Sequence, residues 1–276
     1  WPDRVVIGAS SIKAFNIMKE VYRPLYVNEK PILHTNVATA EMIKYAANAF
    51  LALKISYINE VANLCEAVGA DVHLVAKAMG QDGRISPKFL HPGPGFGGSC
   101  FPKDTHAIAA LSRKKGVPMN TIDAAITTNN DQKKRMTEKL KNLVGGDFSR
   151  KTIGVLGLAF KPNTDDVRES SSIEMIQTIL DGGGKVKAYD PMANESMKKV
   201  FPNLNYSHSW EETCDGVDAV VIMTEWNEFR GMSLEKLKKI MKAPIVLDTR
   251  NILSIDKLSE HGFQFDNVGR KKYYDS

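Results

Sequence analysis

Two hydrophobic rhythms alternate along the chain. "RVVIG" (4–8) is a short apolar run that predicts a strand, and "SIKAFNIMKEVYRPL" (11–25) spaces its apolar residues as an amphipathic helix beginning at Ser10 or Ser11. "PILHTN" (31–36) predicts a second short strand. A different texture follows. "TAEMIKYAANAFLALKISYINEVANLCEAVGA" (39–70) holds no proline and reaches its first glycine at Gly69. Its apolar positions lie nearly all round the helix, which predicts burial on most sides and a spine between domains or subunits. Helical spacing returns at 71–80, 102–115 and 118–143, and "VGGDFSRK" (144–151) has the composition of a linker.

From residue 152 the period changes. "TIGVLGLAF", "KVKAYDP", "DAVVIMTE" and "PIVLDTRN" are short apolar strands that alternate with helical stretches at 171–181, 192–200 and 233–242, and "FQFDNVG" predicts a last strand. Such alternation predicts an α/β fold with a Rossmann-like doubly wound parallel sheet. Ligands of such sheets bind beyond the carboxyl ends of the strands, which puts "FKPNTDDVRESSS", "MTEWN" and "TRN" along one rim. The expected organisation is therefore the end of an α/β domain over 1–36, a helical central domain over 37–147, and the doubly wound domain over 148–276. The chain opens on Trp1 and its first strand has no earlier partner, so a preceding N-terminal segment is expected.

Composition narrows the function classes. Thirty-seven Lys and Arg against 32 Asp and Glu give a net charge of +5, spread along the chain. The one basic run, "GRKKYYDS" at the C-terminus, suits a solvated tail better than a nucleic-acid arm, so no nucleic-acid partner is expected. No apolar stretch is long enough to span a bilayer, and no membrane partner is expected. Cys65, Cys100 and Cys214 are odd in number and far apart. They match neither a disulfide framework nor a zinc site, so no metal is expected and a reducing cytoplasm is the default.

The candidate chemistry centres on "PGFGGSCFPKD" (94–104). Its glycines suit a loop that wraps a ligand closely, and Pro102 suits the first turn of the following helix. Cys100 would then precede a helix N-terminus, where the dipole favours an anionic sulfur. It is either a nucleophile or a small residue filling a tight loop. Lys44 and Asn48 lie four apart on one face of the spine helix. They are either a snorkelling lysine with a satisfied core amide, or an ammonium and an amide aimed together into a cleft. "GVLGLAF" lacks the third glycine of a dinucleotide fingerprint, and Asp190 after the second strand either imitates a ribose-binding acid or is a turn residue at a strand end. Lys161, Arg168 and Arg250 at the rim suit a diphosphate, or else pair with Asp165, Asp166 and Glu169. Trp226 and Phe229 either pack or stack on a base.

Taken in order, "EMIKYAANAFLALKISYINE", "GFGGSCFPKD", "LGLAFKPNTDDVRESSS", "YDP", "MTEW" and "LDTRN" resemble the UDP-glucose/GDP-mannose dehydrogenase family from about residue 3 to about residue 270. The resemblance implies a four-electron oxidation of UDP-glucose, or of a related nucleotide sugar, to the uronate with two NAD. It makes Cys100 the nucleophile that holds the sugar as a thiohemiacetal and then a thioester. Lys44 and Asn48 would stabilise the oxyanions, and Asp104 would position or deprotonate water. Substrate contacts would come from Phe89, Leu90, His91, Pro92, Gly93, Gly97, Phe160, Lys161 and Arg250, with Arg84 reaching into the site of a homodimer partner across the spine helix. Lys103 and Arg168 would touch NAD. The family's NAD-binding domain, with its acid–base threonine and glutamate, would belong to the preceding segment. Ser86 stands where the family has glycine, and His91 where tyrosine or lysine is usual. A two-electron hydroxyacid-type dehydrogenase would also use a Lys-x-x-x-Asn helix but leaves "GGSC" without a role, and a non-catalytic sugar-nucleotide-binding or dimerisation module needs no thiol.

Overall fold

A computed structural model describes residues 3–28 and 31–270, so the tail beyond Arg270 lies outside the described residues. Strand β1 (Val5–Gly8), helix α1 (Ile12–Val21) and strand β2 (Ile32–Thr35) form a parallel β-α-β unit. The helix expected over 11–25 stops at Val21, and a 3-10 stretch takes over at Arg23–Asn28. Pro24 cannot continue the hydrogen-bond ladder, which accounts for the change.

The spine is α2 (Val37–Val68). Asn36 starts it by accepting the Thr39 N–H at 2.8 Å, and Gly69 ends it at φ 77°, the left-handed conformation that glycine adopts without strain. Helices α3 (Val72–Gln81), α4 (Cys100–Lys114) and α5 (Asn120–Leu143) follow, and α4 and α5 pack along the spine. Burial is narrower than its composition predicts. Ala49, Ala52, Ser56, Ile58, Asn59, Ala62 and Cys65 face the core, while Phe50, Tyr57, Leu64 and Val68 stay exposed. These exposed residues recur at close to heptad spacing, so they form one stripe on the opposite face.

The remaining strands are β3 (Thr152–Leu156), β4 (Lys185–Tyr189), β5 (Asn205–Tyr206), β6 (Ala219–Ile222), β7 (Ile245–Asp248) and β8 (Gln264–Asp266). They form one parallel sheet in the order β5-β4-β3-β6-β7-β8, the arrangement of a doubly wound nucleotide-binding fold. Helix α6 (Ser171–Asp181) follows β3, and the shorter α7 (Asn194–Lys198), α8 (Trp210–Cys214), α9 (Asn227–Arg230), α10 (Leu234–Ile240) and α11 (Ile255–Glu260) complete the crossovers. The pattern misses α8, α9, α11 and β5, which are too short to show a period. Strand order reverses between β3 and β6, and their carboxyl ends open there.

One apolar cluster runs through both parts. It joins Ile58, Ala62, Met136 and Leu140 of the helices to Ile153, Val155, Met175 and Ile176 around the sheet. Phe148 of the linker sits inside it, 2 % exposed, and backs onto Gly182 and Gly184. The linker is thus pinned, not free. No helix of the described residues is long and apolar enough to cross a membrane.

Phe148 spans the join, so Phe148→Ala should cost about 3–5 kcal/mol, the usual range for emptying a buried phenylalanine site. Equilibrium urea unfolding of the chain measures this, and a loss under about 1 kcal/mol would mean that the linker packs only loosely.

Candidate active site

The thiol helix starts earlier than its sequence implies. α4 begins at Cys100, so the cysteine is the first helical residue and Pro102 the third. Cys100 is a free and exposed thiol, whereas Cys65 and Cys214 are buried. One turn along α4, the Asp104 carboxylate is fully buried. Its Oδ2 accepts from Asn48 Nδ2 at 2.6 Å and from the Lys44 ammonium, and its Oδ1 accepts from Lys103 Nζ at 2.6 Å. Lys44 and Asn48 therefore do converge, and their meeting point is a carboxylate. Burial on its own would raise the Asp104 pKa; hydrogen bonds from Lys103, Lys44 and Asn48 outweigh that and bring it down to about 2.

Ahead of the helix runs the glycine-rich loop. A β-carbon at Gly97 would lie 2.3 Å from the Glu169 carbonyl oxygen, and one at Gly98 would lie 2.7 Å from the Phe160 ring. The Gly98 N–H donates to the Arg168 carbonyl at 2.8 Å. Bare backbone is what lets this loop meet the segment after β3.

Between them lies a cavity of about 420 Å³ at the reversal point of the sheet. Seven of the expected substrate residues line it: Phe89, His91, Gly93, Gly97, Phe160, Lys161 and Arg250. Arg250 follows β7, donates from Nε to the Met223 carbonyl at 2.7 Å and from Nη2 to the Phe160 carbonyl at 3.2 Å, and lies 3.2 Å from Glu225. Lys161 lies over the Phe160 ring. The other three expected residues do not line the wall. Leu90 and Pro92 are buried beneath the loop, and Arg84 is exposed with its guanidinium on its own Asp82. Ser86 sits at φ 67° and Phe89 at φ 65°, which explains why glycine would serve at position 86.

Lys103 and Arg168 both lie near the thiol. Lys103 is held by Asp104, and Arg168 forms a two-pronged bond to Asp166 at 2.9 and 2.7 Å. Those carboxylates raise both cations above their ordinary range first, and the nearby Cys100 sulfur adds to the effect. Asp190 is a structural anchor: buried, it accepts from the Leu158, Ala159, Met192 and Ala193 N–H groups and from Trp226 Nε1. Trp226 and Phe229 are packed inside the sheet domain.

Sequence reasoning passed over Ile55, Lys88, Gly95, Phe96, Phe101 and Glu225, which also line the cavity. Ile55 lies two turns beyond Asn48 on the same helix face, a signal available from spacing alone. Glu225 carried no such signal.

A parallel sheet whose reversal point opens on a cationic cleft, with a second, helical unit presenting a thiol beside it, defines a two-part α/β protein of the nucleotide-binding class. The chain belongs to the UDP-glucose/GDP-mannose dehydrogenase family: the model of its central domain matches residues 38–131, and that of its UDP binding domain matches residues 154–255. The UDP-glucose 6-dehydrogenase of Rhizobium meliloti (strain 1021) is 47% identical over 271 residues, covering 98% of this chain and 62% of that protein. The UDP-glucose 6-dehydrogenase TuaD of Bacillus subtilis (strain 168) is 44% identical, covering 97% of this chain and 58% of its own length. The solved UDP-glucose dehydrogenase of the hyperthermophilic archaeon Pyrobaculum islandicum superposes with a TM-score of 0.87 at 36% identity, covering 97% of this chain and 59% of that one. The chain thus spans about three fifths of the relatives it matches.

The folded-state pKa of Asp104 lies below its ordinary 3.8, so the ionised carboxylate stabilises the fold above about pH 4 and that contribution is lost as pH falls from about 4 to 2. Asp104→Asn should lower stability at pH 7 by about 2–3 kcal/mol and flatten the stability curve between pH 4 and 2. Urea unfolding at a series of pH values reads both effects, and parallel curves for variant and wild type would contradict the assignment.

Proposed function

We propose that this chain supplies the uridine-diphosphate cleft and the covalent thiol for an NAD-dependent four-electron oxidation of UDP-glucose to UDP-glucuronate. The observation that carries it is the placement of exposed Cys100 directly before Phe101, which lines the cationic cleft, and one turn from buried Asp104, on which exposed Lys44 and half-buried Asn48 converge. The names of the relatives supply the substrate. Residues 37–147 act as the thiol-bearing helical domain and 148–276 as the UDP-sugar domain, with 1–36 as the end of the NAD-binding domain.

In this proposal Lys161 and Arg250 pair with the diphosphate, as ammonium and guanidinium groups do with phosphate oxygens. Phe89 and Phe160 border the nucleotide, the Gly93 and Gly97 backbone lies against it, and His91 offers a hydrogen bond. Leu90 and Pro92 support the loop from below. NAD, when bound, accepts the hydrides. Lys103 and Arg168 fit it as outer contacts, being exposed cations that already sit on carboxylates, rather than as a cradle. The thiol adds to the aldehyde carbon, forming the S–C bond while its proton passes to the carbonyl oxygen. Lys44 and Asn48 stabilise that oxygen when it is negative. After further oxidation, water attacks the thioester carbon, the C–S bond breaks, the carboxylate leaves and the sulfur regains a proton. With both oxygens engaged and no exposed surface, Asp104 acts through Lys44 and Asn48 rather than directly on water. An exposed working thiol must stay reduced, which fits a cytoplasmic setting.

The exposed stripe of Phe50, Tyr57, Leu64 and Val68 is the proposed homodimer face. Lys54 of α2 donates to the Ile85 and Ser86 carbonyls at 3.0 and 3.1 Å, which ties the segment after Arg84 to the spine; in this proposal Arg84 exchanges Asp82 for a partner's cleft.

A UDP-linked chloromethyl ketone should alkylate Cys100 and spare buried Cys65 and Cys214, with UDP-glucose protecting; peptide mass spectrometry reads the site. Labelling of Cys100 that UDP-glucose leaves unchanged would sink the proposal. Light scattering after gel filtration should find a dimer, and Leu64→Asp should give a monomer, since a charge in an apolar interface costs several kcal/mol, on the order of 3 or more.

A further inference from the structure

Three buried side-chain amides grip the glycine-rich loop from two helices. Asn59 of α2 accepts the Gly93 N–H at 2.8 Å, and Gln132 of α5 donates to the Gly93 carbonyl at 2.9 Å. Asn129 of α5 accepts the Phe96 N–H at 2.7 Å and donates to the Phe96 carbonyl at 3.1 Å, pairing with it as a neighbouring strand would. Asn63 donates to Gln132 Oε1 at 3.0 Å, which fixes the direction of that amide. Asn59, Asn129 and Gln132 are each at most 3 % exposed.

Burying three amides inside helices is costly unless they find partners; here loop backbone groups take four of their bonds and Asn63 a fifth, and only the Asn59 Nδ2 among their polar atoms has none. The loop needs this handle. Gly93, Pro94, Gly95, Phe96, Gly97 and Gly98 offer one large side chain among six positions, so packing alone cannot hold them, and glycine loses the most conformational entropy on ordering. Gly93, Gly95, Phe96 and Gly97 are also cavity wall, and Cys100 follows within a few residues.

We propose that Asn59, Asn129 and Gln132 are positioning residues that set both the affinity of the cleft for a uridine diphosphate group and the direction in which the Cys100 sulfur is presented. The assignment rests on the function proposed above. It requires amides, because a carboxylate or an aliphatic group of similar size cannot both donate to the carbonyl and accept from the N–H of one residue, as Asn129 does with Phe96.

The test uses the 276-residue chain with Asn129→Leu and Gln132→Met, near-isosteric changes that remove the loop bonds. Leu140→Ala, deep in the core at 0 % exposure and outside the cleft, serves as a control with comparable loss of melting temperature. Two quantities are read: UDP affinity by calorimetry, and the ratio of Cys100 labelling rates by a UDP-linked chloromethyl ketone and by iodoacetamide. Both amide variants should bind UDP at least about tenfold more weakly and lower the labelling ratio by a similar factor, while the control changes neither. Amide variants that match wild type in both readouts, or a control that loses as much as they do, overturn the assignment while leaving the proposed function standing. A wild-type chain with no UDP binding and no preference for the UDP reagent overturns both. Should Asn129→Leu fail to fold, Gln132→Met, which removes a single loop bond, carries the same comparison.

Discussion

The cleft exists because two backbones touch without side chains between them. At Gly97 and Gly98 there is no room for a β-carbon against Glu169 and Phe160. This seam joins a unit built on helical spacing to one built on parallel strands. The thiol helix begins two residues after it, so the orientation of α4 relative to the sheet is set there. Any side chain at Gly97 would push the loop off the rim by more than an ångström, a distance that matters for a reacting pair.

A second seam closes the far end. Lys139 of α5 bonds Glu66 of α2 at 2.7 Å, Asp266 of β8 at 3.0 Å and the Asn267 carbonyl at 2.6 Å. The Gly269 N–H donates to Glu66 at 2.9 Å, and its α-carbon lies so close to Ala62 that a β-carbon would fall 2.7 Å away. With apolar packing between them, the two seams hold the walls of the cleft as one body. Strain gathers mostly where they are held: among the described residues Ser86, Phe89, Asn163, Glu169 and Asn251 take left-handed backbone conformations in loops about the cleft or beside Arg250, and Arg150 does so in the linker. Such conformations persist only where surrounding contacts over-determine them, as they do at ligand sites.

The large elements were legible in the chain because each repeats its signal. The spine, its end at Gly69, and the strand–helix alternation after residue 152 follow from spacing and turn residues. What escaped was non-periodic. Helices of four to six residues such as α9 and α11 show no moment, and the start of α4 at Cys100 was hidden because Pro102 looks like a first-turn residue wherever it falls in that turn. The spine's uniform apolar surface conceals that one stripe is left exposed by this chain alone. In the cleft, the loop motif pointed to its own residues and helical spacing could have added Ile55, but Glu225 and the amides of α2 and α5 act across more than thirty residues of sequence and carry no local mark.

The cluster under the thiol is best understood through its charge rather than its contribution to stability. Sinking a carboxylate costs several kcal/mol, and three charge-assisted hydrogen bonds return about 1.5–3 kcal/mol each, so what is left is a modest net stabilisation, in keeping with the lowered pKa. The arrangement leaves two ammonium groups against one carboxylate, a net single positive charge, with Arg168, itself paired with Asp166, also near the sulfur. A surplus of positive charge held in place beside the thiol favours whatever negative charge forms there, whether on sulfur or on a substrate oxygen. The buried Asp104 then serves to aim Lys44 and Asn48 at that place in advance. Orientation, beyond that modest stabilisation, is the physical role that the buried carboxylate plays in this architecture.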